Sequence, residues 1–271
     1  MLNAAVLGQP IAHSLSPVLH GAAYRALGLE GLAYAAHELG AAELPGWVAG
    51  LDETWRGLSL TMPLKEVAFE VATTVSDTAR LTGAINTLVR RPDLGWDAHN
   101  TDVAGLVESL RHVDHGGSAT ILGSGATARS ALVALRELGV ESVRLAVRSQ
   151  VRPETVALAA DLGLTVEVLP LEEWALTPVR LYVSTLPPQA SASTGASLGE
   201  TGSRFNGATL LDVVYAGWPT PLARDAAAVG MTTIGGLDML VHQAAEQFRL
   251  FTGKPAPVDA MFAAGREALA S

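Results

Sequence analysis

Thr120-Ile121-Leu122-Gly123-Ser124-Gly125-Ala126-Thr127-Ala128 joins a buried-strand pattern to a helix through a glycine-rich turn. Gly123, Gly125 and Ala128 fit G-x-G-x-x-G/A, and a helical pattern follows from Arg129 to Leu138, closed by Gly139. Strand, turn and helix in that order are the setting of a dinucleotide-binding turn. Gly123 permits the tight turn, Gly125 lets backbone approach a pyrophosphate, and Ala128 lets the helix pack closely on the strand. Ser124, Ala126 and Thr127 complete the loop. A plain strand–helix turn of small residues has the same composition, so the context gives the match its weight.

The next strand pattern, residues 142–147, bears on which dinucleotide is held. A site for NAD places an acidic residue at the end of this strand to take the ribose hydroxyls. Here the strand ends Val147-Arg148-Ser149, with no Asp or Glu. Arg148 is positioned to meet a 2′-phosphate with a planar, charge-assisted contact, and Arg152 could assist. An ordinary solvated arginine is the plain alternative for both, and for Arg152 it is as good a reading. The expected cofactor is NADP.

Outward from this turn, short apolar or β-branched runs alternate with helical patterns. Strands are expected at residues 4–7, 32–37, 57–61, 84–90, 119–122, 142–147, 165–168, 181–184, 209–214 and 231–234. Such alternation argues an α/β fold with largely parallel sheets. The stretch 187–207, rich in Ser, Thr, Gly and Ala, reads as a loop with one short helix. A new unit begins at Ser118. We expect residues 103–236 to form a Rossmann-like dinucleotide-binding domain. Residues 1–102 and 237–271 would form an N-terminal α/β substrate domain, with the C-terminal helices returning to it.

With 271 residues, 49% hydrophobic and 17% charged, the chain can bury a sizeable core. A net charge of −9 with no basic run makes nucleic acid and anionic membrane poor partners. An anionic ligand must therefore be held by local groups. The absence of cysteine excludes disulfides, thiolate metal sites and a thiol nucleophile. No His/Asp/Glu cluster has metal-ligand spacing, so no metal is expected. Met1 leads straight into a strand with no leader pattern, and no apolar run approaches the length of a membrane span. A soluble cytoplasmic protein follows, with monomer and homodimer both open.

The second informative stretch is Gly8-Gln9-Pro10-Ile11-Ala12-His13-Ser14-Leu15-Ser16-Pro17, which runs from a strand into a helix. Ser16 reads as an N-cap and Pro17 as the first helical residue. Ser14 and Ser16 then stand where free backbone N–H groups point outward, a setting for a small carboxylate. Ser16 as a mere cap and Ser14 as loop lining are the plain readings, and His13 is expected to order the loop. Four other segments place polar groups where apolar chain would otherwise continue. They are Ser59–Lys65, Asn86-Thr87, Asn100-Thr101-Asp102, and Gln243 in a late apolar helix that also carries His242. Each has an ordinary use. Asp102 can be a first-turn acid, Lys65 an exposed helical lysine, and Asn86 a partner for turn backbone.

In order and spacing, these segments together resemble the shikimate dehydrogenase family over nearly the whole length. The likeness rests on residues 8–20, 61–65, 83–87 and 100–102, the Gly123 loop, Asp212-Val213-Val214-Tyr215, and residues 236–243. It implies NADPH-dependent reduction of 3-dehydroshikimate to shikimate in aromatic amino acid synthesis. It further implies that Ser14 and Ser16 hold the substrate carboxylate, and that Thr61, Asn86, Asp102, Tyr215 and Gln243 bind ring hydroxyls. Lys65 and Asp102 match the family's catalytic pair. The Gly123–Thr127 loop, Val147, Arg148, Ser149, Arg152, Val213 and Gly236 match its NADP positions. The chain departs from the family at Ser59, usually Asn, at Val147-Arg148-Ser149, usually Asn-Arg-Thr, at Ala126, often Gly, and at Gly217, more often Pro. A quinate/shikimate or aminoshikimate dehydrogenase using NAD or NADP shares most of these motifs. A methylene-tetrahydrofolate dehydrogenase shares the two-domain plan but does not suit the Ser14/Ser16 segment. A non-catalytic NADP-binding sensor would have no use for Lys65 and Asp102. The enzymatic reading requires those two side chains, from distant segments, to meet.

Overall fold

The computed structural model describes residues 1–191, 194–198 and 205–270. Chain contacts divide it into two units, Met1–Gly105 with Leu240–Ser271, and Leu106–Met239. The first unit begins with β1 (Leu2–Gly8), α1 (Ser16–Ala26), β2 (Leu32–Glu38), α2 (Leu44–Ala49), β3 (Trp55–Leu60) and α3 (Leu64–Val67). There follow β4 (Thr74–Val75), α4 (Asp77–Thr82), β5 (Thr87–Arg90), β6 (Trp96–His99) and α5 (Asp102–Leu110), inside which the second unit starts. The strands form one sheet in the order β2-β1-β3-β5-β6-β4. β1 pairs in parallel with β2 and β3, and β5 runs antiparallel to β3 and β6. β1 is apolar throughout its middle because it lies between two strands, with Ala5 and Leu7 wholly buried. Leu7, Leu44, Leu58, Leu64, Ile85 and Leu88 belong to one buried cluster in this unit.

The second unit contains β7 (Ser118–Leu122), α6 (Ala126–Glu137), β8 (Ser142–Val147), α7 (Pro153–Asp161), β9 (Thr165–Pro170) and β10 (Leu181–Ser184). It continues with α8 (Pro188–Ser191), β11 (Thr209–Asp212), α9 (Pro221–Ala228) and β12 (Thr232–Gly235). Its sheet, β12-β11-β10-β7-β8-β9, is parallel throughout. This is the doubly wound order in which the chain reverses direction between the first and fourth strands, here β7 and β10, and ligands bind at the carboxyl ends there. Trp174, Tyr182 and Phe205 stack edge-on in the core.

The last helices, α10 (Gly236–Thr252) and α11 (Val258–Ala270), carry the chain back to the first unit, where α11 packs on α1. Gly57 makes room for α10: a Cβ there would stand 2.1 Å from the Phe251 ring. No helix among the described residues is long and apolar enough to cross a membrane.

Three local expectations are corrected. Ser16 is the first residue of α1 and not its cap, because Leu15 already has helical backbone angles; Ser14 Oγ instead accepts the Ser16 N–H at 3.3 Å. The strand expected at 84–90 begins only at Thr87, because Ala84 N and Ile85 N turn away to Ala79 O (3.3 Å) and Lys65 O (2.7 Å). β4 and β6 have no apolar run to announce them and form by pairing in register with their neighbours. Of the stretch 187–207, residues 192–193 and 199–204 lie outside the described residues. The remainder holds α8 and a 3₁₀ turn, Gly195–Leu198.

Candidate active site

Lys65 projects from the one-turn helix α3, and Asp102 opens α5. Lys65 Nζ donates to Asp102 Oδ2 at 2.5 Å, their side chains 14% and 5% exposed. The other carboxylate oxygen, Oδ1, accepts Asn86 Nδ2 at 2.7 Å. Local chain chemistry fixes both partners. Asn100 Oδ1 accepts the backbone N–H of Asp102 (3.0 Å) and Val103 (3.3 Å), capping α5 so that Asp102 falls in its first turn. Asn100 Nδ2 is tied in turn to Thr82 Oγ1 and Ala84 O. The Asn86 amide is held on both sides. Its Oδ1 accepts Thr101 N and Thr87 Oγ1, each at 2.8 Å, and its Nδ2 also donates to Thr101 Oγ1 at 2.9 Å. Two donors, Lys65 and Asn86, thus reach one buried carboxylate, and that contact holds the lysine side chain in place.

The loops after β1 and β3 approach each other closely in the same unit. A Cβ on Gly8 would meet Thr61 Cγ2 at 2.3 Å, so only glycine lets the loop of Ser14 and Ser16 run beside Thr61. Ser14 is half-buried and Ser16 buried. Gln243 is buried on α10, its Nε2 donating to Leu240 O at 2.8 Å. Ser59, Thr87, Thr101 and Gln247 also belong to this polar cluster, and sequence reasoning gave none of them a role. Gln247 follows Gln243 by one helical turn in an apolar helix, and that spacing was the available signal. Its Oε1 accepts Ser59 Oγ at 2.7 Å, and its Nε2 donates to Thr87 Oγ1 at 3.0 Å and Asn86 O at 3.2 Å. Tyr34 donates to Ser59 Oγ at 2.6 Å and stacks on the buried His20 ring, 4.1 Å between centroids. Burial drives the His20 pKa down to about 3, the neighbouring Gln247 side chain opposing only in part.

The second unit carries the remaining candidates. Gly123 has φ +106°, and its missing side chain leaves Thr185 Oγ1, after β10, only 2.7 Å from where a Cβ would be. At Gly125 the same position faces open space, and α6 starts at the next residue. Ala128 is fully buried. Val147 is buried at the end of β8, and Arg148 and Ser149 are exposed directly after it. Arg152 is exposed, and its backbone N–H reaches Ser124 Oγ at 3.4 Å. Val213 and Tyr215 follow β11 on a turn shaped by buried Asp212, which accepts Thr220 Oγ1 at 2.8 Å. Burial raises the Asp212 pKa. Gly236 lies so near Val213 that a Cβ would stand 2.1 Å from its carbonyl oxygen. A turn open at Gly125, a helix N-terminus beyond it and an exposed arginine after β8 fit a phosphorylated dinucleotide.

A doubly wound parallel unit with this turn, and a separate unit holding a lysine against a buried carboxylate, define a dinucleotide-dependent oxidoreductase. Residues 6–88 match the family model for the shikimate dehydrogenase substrate binding domain, and residues 236–264 that for the shikimate 5'-dehydrogenase C-terminal domain. The NADP(+) shikimate dehydrogenase of Synechococcus sp. (strain JA-3-3Ab) is 39% identical over 98% of this chain and 93% of its own. The crystal structure of Mycobacterium tuberculosis shikimate dehydrogenase superposes with a TM-score of 0.87 at 42% identity, covering 98% of this chain and 99% of that one. The shikimate 5-dehydrogenase of Thermus thermophilus, solved in complex with NADP(H) and shikimate, gives 0.83 at 35% identity over 99% and 100%. The chain belongs to the shikimate dehydrogenase family.

Proposed function

We infer that this chain catalyses the NADPH-dependent, reversible reduction of 3-dehydroshikimate to shikimate, a step of aromatic amino acid synthesis. The observation that carries the reading is the Lys65–Asp102 pair, 2.5 Å apart and braced by Asn86. NADPH, when bound, supplies the hydride. As the ketone carbon accepts it, negative charge grows on the ketone oxygen. The Lys65 ammonium stabilises that charge and gives up a proton, leaving an alcohol. In the reverse direction the neutral amine takes the proton from the alcohol. Asp102 fixes the lysine in place.

In this reading residues 1–102 and 237–271 hold the substrate, with Ser14 and Ser16 on its carboxylate and Thr61, Asn86, Asp102 and Gln243 on ring hydroxyls. Residues 103–236 hold NADP. The Gly123–Thr127 turn takes the pyrophosphate, and Arg148 takes the 2′-phosphate. The net charge of −9 supports no nucleic-acid partner.

The test is absorbance at the NADPH band with shikimate or quinate, each with NADP or NAD, on the native protein and on Lys65→Ala. Shikimate with NADP should give the fastest rate, and Lys65→Ala should lose about 10²–10⁴-fold in turnover with NADP binding retained. A fully active Lys65→Ala, or quinate with NAD as the best pair, would falsify the assignment.

A further inference from the structure

We propose that Gln247 is a positioning residue for the Lys65–Asp102 pair, acting through Thr87 and Asn86. The proposal rests on the catalytic reading of that pair given above.

The argument lies in the direction of the hydrogen bonds. An ionised carboxylate only accepts, so Asp102 depends on donors being turned toward it. Asn86 serves Asp102 Oδ1 only while its amide nitrogen faces that way, and an amide can rotate end for end. Its orientation is set at the other end, where Oδ1 takes the Thr87 hydroxyl and the Thr101 N–H, each at 2.8 Å. The Thr87 hydroxyl has a single hydrogen. It goes to Asn86, not to Gln247, because Gln247 presents a donor to the same oxygen, Nε2 at 3.0 Å. Gln247 presents its nitrogen there because its Oε1 is held by the Ser59 hydroxyl at 2.7 Å. Ser59 gives its hydrogen to Gln247 because Tyr34 donates to the serine oxygen at 2.6 Å. From Tyr34 to Thr87 each donated hydrogen orients the next group, and Thr87 gives its own to Asn86 Oδ1 at 2.8 Å, a shorter approach than the 3.4 Å to Thr101 Oγ1.

Burial makes this order consequential. Ser59, Thr87, Gln247, Asn86 and Asp102 are each less than 5% exposed. A lost partner is therefore not replaced from bulk water, and the chain either keeps its polarity or strands a polar atom. Gln247 joins α10 to β3 and β5 and lies 160 residues from Thr87 in sequence. It hydrogen-bonds to neither Lys65 nor Asp102, and its hydrogen bonds lead to them through Thr87 and Asn86.

The plain alternative is a buried glutamine that merely fastens a helix to a sheet. That role would show in thermal stability and leave the rate constant alone. Three single variants, Gln247→Met, Thr87→Val and Thr87→Ser, and the Gln247→Met/Thr87→Val double variant separate the two. Gln247→Met keeps the length of the side chain without its hydrogen bonds; Thr87→Val keeps the shape without the hydroxyl. For Gln247→Met and for Thr87→Val we expect kcat to fall about tenfold with KM for NADPH unchanged, since small misplacements of catalytic groups act on the chemical step. The double variant should lose no more than the worse single one, because both break the same chain. Thr87→Ser, which restores the hydroxyl, should recover the rate. A Gln247→Met enzyme with native kcat, whatever its melting temperature, overturns the proposal, and so does additive loss in the double variant. If Gln247→Met does not fold, Gln247→Glu, which keeps the acceptor toward Ser59 and removes the donor toward Thr87, takes its place, and native kcat there overturns the proposal. Lys65→Ala serves as the control. Activity in that variant would sink the catalytic reading itself, whereas an inactive Lys65→Ala beside a fully active Gln247→Met sinks only the role of Gln247.

Discussion

Asn86 Nδ2 stands 2.7 Å from Asp102 Oδ1, while the other carboxylate oxygen of Asp102 is taken by Lys65. The residue before a short strand and the first residue of a helix thus form one charged unit with a lysine from a third segment. Asp102→Asn keeps the size of the side chain and removes its charge. It should cost about 10²-fold or more in kcat, because the ammonium loses the group that holds it. NADP affinity should be unchanged. Steady-state kinetics with both substrates varied checks this, and native kcat in Asp102→Asn would contradict it.

Arg148 is exposed immediately after β8, where no carboxylate is present to take ribose hydroxyls. Arg148→Ala should raise KM for NADP roughly 10- to 100-fold, the worth of a hydrogen bond to a charged group. KM for NAD should not move. Equal effects on both cofactors would show that Arg148 does not read the 2′-phosphate.

Gly236 sits against the Val213 carbonyl, with 2.1 Å between the oxygen and the position of an added Cβ. The obstacle is backbone and cannot turn aside. Gly236→Ala should therefore destabilise the protein by roughly 1–3 kcal/mol, as other overpacked sites do. Chemical denaturation of the two proteins measures it. An unchanged midpoint would mean that the turn yields freely.

His20 has its pKa driven from 6.5 to about 3 by burial. Unfolded, it takes up a proton below about pH 6.5; folded, it does not until about pH 3. The unfolded state binds more protons across that window, so stability rises with pH within it and falls as pH drops. Full one-proton linkage is about 1.4 kcal/mol per pH unit. His20→Phe, which keeps a ring against Tyr34, should show a shallower loss of stability between pH 6.5 and pH 4.5. Identical slopes in urea titrations of the two proteins would refute the link.

Much of this was legible beforehand because certain residues act locally. The turn at Gly123, the helix that follows it, the expected helix start at Asn100-Thr101-Asp102 and the parallel strands of the second unit each follow from a short stretch of chain. The cap of α1 was misread because Ser14 and Ser16 are both good capping residues and backbone angles at Leu15 chose between them. The interrupted strand before Thr87 was missed for a different reason. Its first residues, Ala84 and Ile85, donate to Ala79 O and Lys65 O, the latter distant in sequence. Ser59 and Gln247 stood in the chain as a small hydroxyl and a helical amide, with nothing nearby to say that they would bond.

By itself the sequence determined the alternation of strands and helices, the glycine-rich turn and the basic residue after the second strand of that unit. These depend on side-chain periodicity and on backbone freedom at single positions, which neighbours in the chain set. Only the tertiary structure decided that Lys65, Asn86 and Asp102 share one buried contact, and that a glutamine from the far end of the chain orders the hydroxyls behind them. Hydrogen-bond direction depends on which groups burial brings within about 3 Å, and folding alone makes that selection.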